Sequence, residues 1–449
     1  MASAAEQLAA NLNWGSIGKA TELKKRLWFT IGALVVFRVG AYVPVPGVDP
    51  HALAEIFAQN AGGIAGLLDV FSGGSIGRMS VLALSIMPYI SASIIMQILT
   101  TVVPSLEALK KEGEAGRKKI NQYTRYGTVL LAAFQAYGIA VGLETQVASA
   151  GPVVPDPGLF FRFVTIVTLV GGTLFLMWLG EQITARGVGN GVSLIIFAGI
   201  VAALPNALVQ TLELGRTGAL SALFIIALAI GVVAVVAVVV FVETAQRRII
   251  VQYPKRQVGN RMYGGEASHL PLKINTSGVI PPIFASSLLL FPATIASFQG
   301  NANEPGWMQW MATYLGHGQP LYLVAYISLI VFFCFFYTTV VFNPTETADN
   351  LKKNGGFVPG IRPGKNTADY LEYILNRLTV IGALYLSAVC ILPELLIARG
   401  GVPFYFGGTS LLIVVSVTLD TVTQIQAHLL AHQYEGLIRK ARLRGGRGR

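Results

Sequence analysis

The sequence is poor in charged residues. Only 12% of its 449 residues are Asp, Glu, Lys or Arg, whereas 53% are apolar and the mean hydropathy is +0.60. A water-soluble globular domain usually carries about a quarter charged residues. This deficit excludes a soluble domain as the main body of the chain and indicates that lipid is its main solvent.

Cysteine is almost absent, and so are the sequence patterns of enzymes. Cys334 and Cys390 lie inside apolar runs, where a thiol usually acts as a small apolar side chain. There is no Walker lysine motif, no zinc-ligand spacing and no triad order, and the glycine-rich residues 187–191 follow an apolar span instead of a strand. His428 and His432 share a helix face but lack a third ligand. We therefore expect no cofactor, no metal site and no enzymatic activity.

Long apolar segments make up much of the sequence. A bilayer core of about 30 Å needs roughly 20 apolar residues in a helix. Segments that meet or approach this length predict the fold class, an all-α integral membrane protein with ten transmembrane helices. They lie near residues 25–43, 79–103, 124–143, 161–180, 192–210, 219–243, 275–298, 321–342, 371–392 and 407–427.

The positive charges are distributed unevenly between the two sides of these spans. Of the 33 Lys and Arg, 27 fall on the side that holds both termini, two (Arg38 and Arg377) sit near span ends, and only Arg78, Arg162, Arg216 and Arg399 lie on the other side. Because basic loops stay cytoplasmic, we expect both termini in the cytoplasm. The net charge of +11 also predicts anionic lipids as partners.

A short motif occurs twice. Residues 88–93 (PYISAS) and 281–286 (PPIFAS) share Pro-x-Ile-x-Ala-Ser at the second span of each five-span half. Five spans is an odd number, so related halves would be inserted in opposite orientations. Proline-interrupted spans at matching positions favour a central pathway, with ordinary helix kinks as the alternative.

One apolar segment is too short to span. Residues 64–76 (IAGLLDVFSGGSI) are broken by Gly66, Gly73 and Gly74 and precede the second span. This pattern fits a re-entrant segment or a helix resting on the membrane surface, and it does not decide between them.

Several longer motifs carry a family likeness. They are residues 87–93 (MPYISAS), 180–191 (GEQITARGVGNG), 269–273 (HLPLK), 342–353 (FNPTETADNLKK), 360–364 (GIRPG) and 403–413 (PFYFGGTSLLI). With them the chain resembles the SecY family, the SecY/Sec61-alpha pore subunits of protein translocases, from about residue 20 to the tail. The resemblance implies a cytoplasmic segment 1–24, a first half 25–210, a hinge 211–218, a second half 219–427 and a basic cytoplasmic tail 428–449.

The resemblance also implies a function. Such a protein is a passive channel in the bacterial cytoplasmic membrane, which translocates unfolded secretory polypeptides and releases transmembrane segments sideways into lipid. The expected partners are the small subunits SecE and SecG, the motor ATPase SecA, the ribosome with RNA and protein at its exit tunnel, and signal peptides and nascent chains. SecDF and YidC are further candidates.

The same resemblance assigns three groups of site residues. An apolar pore ring would consist of Ile86, Ile90, Ile196, Ile283 and Ile413. A plug helix, residues 64–78, would centre on Leu67, Leu68, Asp69, Val70, Phe71, Ser72, Gly73 and Gly74. A lateral gate between spans 2 and 7 would contain Pro88, Ser91, Gln97, Asn275, Pro281, Pro282 and Phe291. From the pattern alone, packing is the favoured role of each isoleucine, and only the motif match favours the ring.

Two predicted cytoplasmic loops, 243–273 and 343–369, are longer than their spans require. The first alternates basic, apolar and aromatic residues, so we predict a projecting hairpin. By resemblance both loops dock the ribosome and SecA, whereas topology charge alone would explain their sign but not their length. The matching basic positions are Lys255, Arg256, Arg261, Lys352, Lys353 and Arg362.

Two other classes compete with a channel. An ion-coupled secondary transporter also uses inverted repeats and broken helices, but it normally holds carboxylates at the bilayer midplane, where these spans have almost none. An insertase or a membrane-embedded enzyme is the third interpretation, disfavoured because no nucleophile or metal cluster converges.

Overall fold

The computed structural model describes residues 20–59, 69, 72–148, 151–218, 221–253, 256–258, 261–263, 267–298, 319–400 and 408–445. Helices make up most of these residues. They are α1 (Thr21–Gly40), α2 (Pro50–Gln59), α3 (Met87–Val102), α4 (Pro104–Lys111), α5 (Glu114–Thr145), α6 (Leu159–Arg186), α7 (Gly191–Arg216), α8 (Ala222–Thr244), α9 (Ile280–Phe298), α10 (Pro320–Val341), α11 (Pro344–Lys353), α12 (Lys365–Gly400) and α13 (Gly408–Gly445).

The described helices are those of a membrane protein. Seven of them, α5, α6, α7, α8, α10, α12 and α13, are long and apolar enough to cross a bilayer. The other three predicted spans fall on α1, on α3 and on α9, and α3 is followed after Val103 by α4 at an angle of 97°. A helical integral membrane protein is therefore confirmed, and every predicted span overlaps a described helix.

The two repeated motifs begin helices instead of interrupting them. Pro88 lies in the first turn of α3, and Pro281 and Pro282 lie in the first turn of α9. The backbone N–H groups of a helix's first turn have no partner within the helix, so the missing N–H of proline costs no hydrogen bond there. The fixed φ of proline also matches that of a helix. The expectation of proline-interrupted spans is thus wrong in detail, because residues 79–86 form turns and the regular helix starts only at Met87.

The main apolar core joins the two halves of the chain. It contains Ile86 and Ile195 from the first half and Ile283, Phe333 and Leu412 from the second. The rings of Phe284 and Phe333 meet edge to face with centroids 5.7 Å apart. A second cluster, around Leu53, Leu143 and Leu169, lies within the first half beside the turns that precede α3. The halves therefore pack on each other through side chains of both.

The long loop after α8 forms a hairpin, as predicted. Strand β3 (Gln246–Gln252) pairs antiparallel with β6 (Ala267–Lys273), with Ile249 opposite Leu270. Ile249 and Val251 are buried while their neighbours are exposed, which is the two-residue period of a half-buried strand. Shorter pairs join β4 (Arg256–Val258) to β5 (Arg261–Tyr263) and β1 (Val147–Ala148) to β2 (Gly151–Pro152). Because these short strands lie in the loops between helices, the protein still belongs to the all-α class.

The hairpin is bonded to the loop that follows α11. Gln252 and Phe357 exchange two backbone hydrogen bonds, of 2.9 and 3.0 Å. Beneath them Ile249 and Leu272 of the hairpin form one apolar cluster with Val358 and with Leu371 of α12. The two long loops are thus a single structural unit, which we call the loop unit: β3, β6, the loop 354–364 and the first turns of α12.

Candidate functional site

An apolar constriction lies where the two halves meet. Ile86, Ile90, Ile196 and Ile283, together with Ser85, Met87 and Ser286, surround a space of about 10 Å³. That is close to the least volume, about 10–15 Å³, that one water molecule requires. All four isoleucines are buried. The space is too small to hold a hydrated ion, and most of its wall consists of branched aliphatic side chains.

The structure brings together four of the five residues predicted as a ring. Ile413 is buried in the same core but does not line this space. The lining residues Ser85, Met87 and Ser286 were not predicted as a part of it. Two of them had a signal in the sequence, since Met87 adjoins the first Pro-x-Ile-x-Ala-Ser motif and Ser286 ends the second.

Ser85 holds a strained backbone at the entrance to α3. Its φ is +52°, in the left-handed region that side chains other than glycine rarely occupy. Such a residue costs about 1–2 kcal/mol, which the surrounding structure must offset. Its N–H donates to the carbonyl of Leu82 at 2.8 Å, and its side chain is buried. This turn sets the direction in which the next residue, Ile86, enters the constriction.

Among the side chains that the structure describes, one hydrogen bond joins α3 to α9. The Ser287 hydroxyl donates to the Met87 sulfur at 3.6 Å. Gln97 donates to the Ser93 hydroxyl at 3.5 Å, but its Oε1 is buried and has no hydrogen-bond partner within the described part of the chain. Ser91 is half-buried on α3. A buried orphan oxygen is uncommon in native proteins and marks a place where a ligand group could bind.

Asn275 is placed differently from its predicted neighbours. Its amide donates to Glu243 Oε1 at 2.7 Å and to the Gly278 carbonyl at 3.0 Å, and its oxygen accepts from the Ser277 hydroxyl at 3.0 Å. These contacts tie Asn275 to α8, within the second half. The sequence analysis missed Glu243 as its partner. Phe291 lies in α9, with a side chain outside the described part.

Part of the predicted plug is described. Leu67, Leu68, Val70 and Phe71 lie outside the described residues. Residues 64–66 also lie outside them, whereas Asp69 and residues 72–78 belong to a compact turn, in which the Gly77 N–H donates to Asp69 Oδ1 at 2.7 Å and the Gly74 N–H to the Asp69 carbonyl at 2.8 Å. Burial raises the pKa of the Asp69 carboxyl, and the hydrogen bond from Gly77 opposes that rise only in part.

Gly73 seats this turn against the bundle. Its φ is +69°, and the Arg38 guanidinium donates to its carbonyl at 2.8 Å. A methyl group on Gly73 would lie 2.9 Å from the Gly199 Cα, closer than side-chain carbons normally approach. Gly199 is three residues from Ile196 on α7, about 4.5 Å along the helix axis. The turn therefore packs within one helical turn of the constriction.

One predicted docking residue, Arg362, belongs to the loop unit, and Lys352 and Lys353 end the helix α11 that precedes its loop 354–364. Lys352, Lys353 and Arg362 are exposed, and Arg256 and Arg261 lie in β4 and β5, whereas Lys255 is outside the described residues. The Asn343 side chain caps α11 by accepting from the N–H groups of Thr345 and Glu346. Lys352 and Lys353 lie at the opposite end of α11, where the helix dipole favours cations.

The arrangement defines a class of protein. Long apolar helices from two halves of the chain meet at a closed apolar constriction, and the turn that packs on α7 through Gly73 lies beside it. Among the described residues no group of three His, Cys, Asp or Glu could hold a metal ion. These features are those of a helical membrane channel.

Sequence comparison identifies the family. The sequence model of the SecY family matches residues 80–422. The protein translocase subunit SecY of Rickettsia conorii is 58% identical over 423 residues, covering 94% of this chain and 97% of that protein. The SecY subunit of Escherichia coli K12 is 56% identical over 428 residues, covering 95% and 96%. The chain belongs to the SecY family. It is a protein-conducting channel of the bacterial cytoplasmic membrane and not an enzyme.

Solved structures share the fold. A protein-conducting channel superimposes with a TM-score of 0.66 at 20% identity, covering 90% of this chain and 92% of that one. Sec61 from a canine ribosome-channel complex of the endoplasmic reticulum superimposes with a TM-score of 0.63 at 19% identity, with the same coverage. The helical arrangement is thus that of SecY and Sec61 channels.

Proposed function

We propose that unfolded secretory polypeptides cross the membrane between residues 25–210 and 219–427, through a waist formed by Ile86, Ile90, Ile196, Ile283 and Ile413. The observation that carries this proposal is the closed space that isoleucines of both halves line. Aliphatic walls keep ions out while the pore is closed. Their dispersion contacts are individually weak, so they deform around side chains of many kinds when a chain passes.

The proposed architecture is ten spans in two inverted halves, with the hinge at 211–218. Two observations support it. Each predicted span overlaps a described helix, and the two Pro-x-Ile-x-Ala-Ser motifs occupy equivalent places, since each begins the second span of its half. Both termini, residues 1–24 and 428–449, would then lie in the cytoplasm with most of the lysines and arginines.

Residues 64–78 would act as the plug of the resting channel. The support is the close packing of Gly73 on Gly199 and the hydrogen bond that Arg38 donates to the Gly73 carbonyl, beside the constriction. A solved SecY with a TM-score of 0.65 to this chain has a plug domain that stabilises the closed state and maintains a membrane seal. Movement of this turn away from α7 would unblock the pore.

The lateral gate would be the seam between α3 and α9, including Pro88, Ser91, Gln97, Asn275, Pro281, Pro282 and Phe291. Support comes from the side chains that the structure describes, among which one weak hydrogen bond, from Ser287 to Met87, joins these helices. A polar contact between membrane helices is worth only about 1 kcal/mol, so an inserting signal helix could replace it at little cost.

The loop unit and the nearby basic residues would form the docking face for SecA and the ribosome. Two solved relatives in fold, canine Sec61 and yeast Ssh1, are complexes with ribosomes. In this chain Arg362 is exposed within the loop unit, and Lys352 and Lys353 are exposed at the end of the preceding helix α11, where they can meet anionic partners. SecE, SecG, signal peptides, nascent chains, anionic lipids, SecDF and YidC complete the proposed partner set.

A reconstitution tests the proposal. The chain would be purified with SecE and SecG, inserted into liposomes and supplied with SecA, ATP and a radiolabelled precursor. We expect the precursor to become protected from external protease only when ATP is present. Proteoliposomes that fail to import the precursor but accumulate an ion-coupled small solute would instead establish a transporter.

A further inference from the structure

A glycine-rich turn, residues 187–191 (GVGNG), joins α6 to α7. Its first three residues are buried, and Gly189 has a φ of +90°, in the left-handed region that favours glycine. A methyl group on Gly189 would lie 2.9 Å from the Leu194 Cδ1 and 3.3 Å from the Thr421 hydroxyl oxygen. Thr421 belongs to α13, so this turn of the first half packs closely on a helix of the second half.

Side chains of two other helices accept hydrogen bonds from the turn. The Gly189 N–H donates to Gln424 Oε1 of α13 at 2.8 Å, and the Val188 N–H donates to the Thr30 hydroxyl of α1 at 3.1 Å. Buried backbone N–H groups outside regular helices and strands need such partners. The bond to Gln424 therefore attaches the turn to the second half, while the bond to Thr30 fixes it within the first.

An apolar cluster surrounds the same turn. Val188 packs with Ala20 and Leu23, at the start of α1, and with Leu429 of α13, and all four side chains are buried. By contrast, among the side chains that the structure describes, the one hydrogen bond that joins α3 to α9 ends on a thioether. The turn thus joins the two halves through a polar and an apolar contact, and the amide oxygen of its polar contact is a stronger acceptor than a thioether.

The turn and the proposed hinge lie at opposite ends of one helix. α7 begins at Gly191, the last residue of the turn, and ends at Arg216, within the proposed hinge 211–218. Its 26 residues extend about 39 Å, which is more than the thickness of the bilayer core. At the hinge the chain itself connects the halves, and at the turn Gln424 and Leu429 connect them. α7 is therefore attached to the second half at both of its ends.

We propose that the two halves rotate about α7 when the channel opens, with the turn 187–191 as a second pivot opposite the hinge 211–218. The proposal rests on the proposed function, in which α3 separates from α9. Two fixed points define an axis, and contacts near an axis of rotation change least while distant contacts change most. The turn therefore keeps its contacts with α13 in the resting and in the open channel, while the seam between α3 and α9 parts.

Gln424 is the positioning residue of this pivot. Its amide oxygen holds the turn, and Ile196, which lines the constriction, follows Gly191 on α7 by about 7.5 Å along the helix axis. A shift of this end of α7 against α13 would move Ile196 relative to Ile283 of the second half, which lines the same space. The bond from Gly189 to Gln424 therefore helps to set the place of Ile196 in the resting constriction.

One test is a crosslink across the pivot, in the full chain reconstituted with SecE, SecG, SecA, ATP and a labelled precursor. Cysteines would replace Val188 and Leu429 in a background without Cys334 and Cys390, and dibromobimane, which links only close thiols, would join them. We expect precursor import at the parental rate after complete reaction, because a pivot does not open. The same reagent on a cysteine pair across the seam between α3 and α9 should instead reduce import to background.

Failure of the pivot is distinguishable from failure of the proposed function. Loss of import after complete reaction would overturn the pivot, since the contact would then have to open. Two reduced cysteines that dibromobimane does not join in the folded protein would also overturn it, because a pivot keeps its contact. A parent chain that imports no precursor would contradict the proposed function instead, and resting conductance, which does not depend on import, then tests the pivot.

Variants of Gln424 provide that conductance test. Gln424→Leu removes the acceptor of the Gly189 N–H, so α7 can shift against α13, and the resting conductance in planar bilayers should rise several-fold. Gln424→Glu keeps an acceptor oxygen and should keep the conductance of the parent. Thr423→Val is the matched control, because Thr423 is an exposed neighbour on α13 whose hydroxyl donates within its own helix, to the Leu419 carbonyl at 2.8 Å. Parental conductance in Gln424→Leu, or an equal rise in Thr423→Val, would overturn the positioning role of Gln424.

Discussion

The Ser287 hydroxyl of α9 donates a hydrogen bond to the Met87 sulfur of α3, at 3.6 Å. Met87 also lines the constriction, and Ser287 follows Ser286, which lines it as well. A thioether is a weak acceptor, so this bond contributes little to holding the two helices together. The constriction and the seam are therefore parts of one contact between the halves, and separation of α3 from α9 would widen both.

A crosslink between these two positions should stop transport. We would place cysteines at Met87 and Ser287 in a background without Cys334 and Cys390, and join them with dibromobimane, which links only close thiols. Precursor import should fall to background, because the helices can no longer part. A long flexible bismaleimide at the same positions should leave import largely intact. Normal import after complete reaction with dibromobimane would show that this seam does not open.

The constriction should lose its seal when one wall becomes polar. Ile196→Thr puts a hydroxyl into the enclosed space, so water enters more readily and the resting conductance in planar bilayers should rise several-fold. Ile195→Thr is the control, because Ile195 is adjacent on α7 and equally buried but does not line the space. Both changes should destabilise the fold by about 2–3 kcal/mol. Equal conductance in the two variants would contradict a sealing role for Ile196.

Gly73→Ala should displace the turn that packs beside the constriction. The new methyl group would lie 2.7 Å from an Arg38 nitrogen and 2.9 Å from the Gly199 backbone, so the turn must shift and the resting conductance should rise. Gly74→Ala is a closely matched control. Gly74 also has a positive φ, so both variants bear about 1–2 kcal/mol of backbone strain, but its nearest neighbour would be an Arg78 nitrogen at 3.5 Å. A rise in both variants would assign the effect to strain alone.

The turn should also respond to pH through Asp69. Burial raises the pKa of its carboxyl above the usual 3.8, so the packed turn binds the proton more tightly than the released turn does. Packing is then strongest below the usual value and weakens as pH rises through the raised pKa. Resting conductance should accordingly increase as the pH on the side of the membrane where this turn lies rises from about 4 toward neutrality. Asp69→Asn, which cannot ionise, should show a flat profile, and a parent profile equally flat would refute the idea.

Charge reversal in the loop unit should impair docking without affecting insertion. Arg362→Glu places a carboxylate on an exposed loop position, and we expect it to weaken SecA or ribosome binding by about 1 kcal/mol or more, roughly fivefold. Membrane insertion should stay normal, because Arg362 lies outside the candidate spans. Arg216→Glu, at an exposed position predicted on the opposite side, serves as the control. Unchanged affinity for both partners in Arg362→Glu would rule out this docking role.

The sequence predicted those features that depend on local patterns. Runs of apolar residues located the seven described helices that are long and apolar enough to cross a bilayer, since a helix in lipid must be apolar over a fixed length. The alternation through Ile249 and Val251 indicated the hairpin. The family resemblance, and not the pattern alone, assigned Ile90 and Ile283 to a ring, and both line the enclosed space.

Other features depend on contacts between distant residues, which a single sequence does not reveal. Prolines were expected to interrupt spans, but the chain starts the regular helix at Met87, after a turn stabilised by tertiary contacts. The positive φ of Ser85 had no signal, because serine is not a residue that favours it. The hydrogen bond between Asn275 and Glu243 joins residues 32 positions apart, and nothing in their sequence neighbourhoods pairs them.

The helix α12 has a mechanical consequence. Its Leu371 and Leu375 belong to the apolar cluster of the loop unit, and its Leu386 and Cys390 belong to the central core. Leu371 and Leu386 are therefore ends of one rod, about 22 Å apart along the axis. A tilt of α12 would therefore move side chains of the loop unit and of the central core together, so that these two regions are mechanically coupled through one helix.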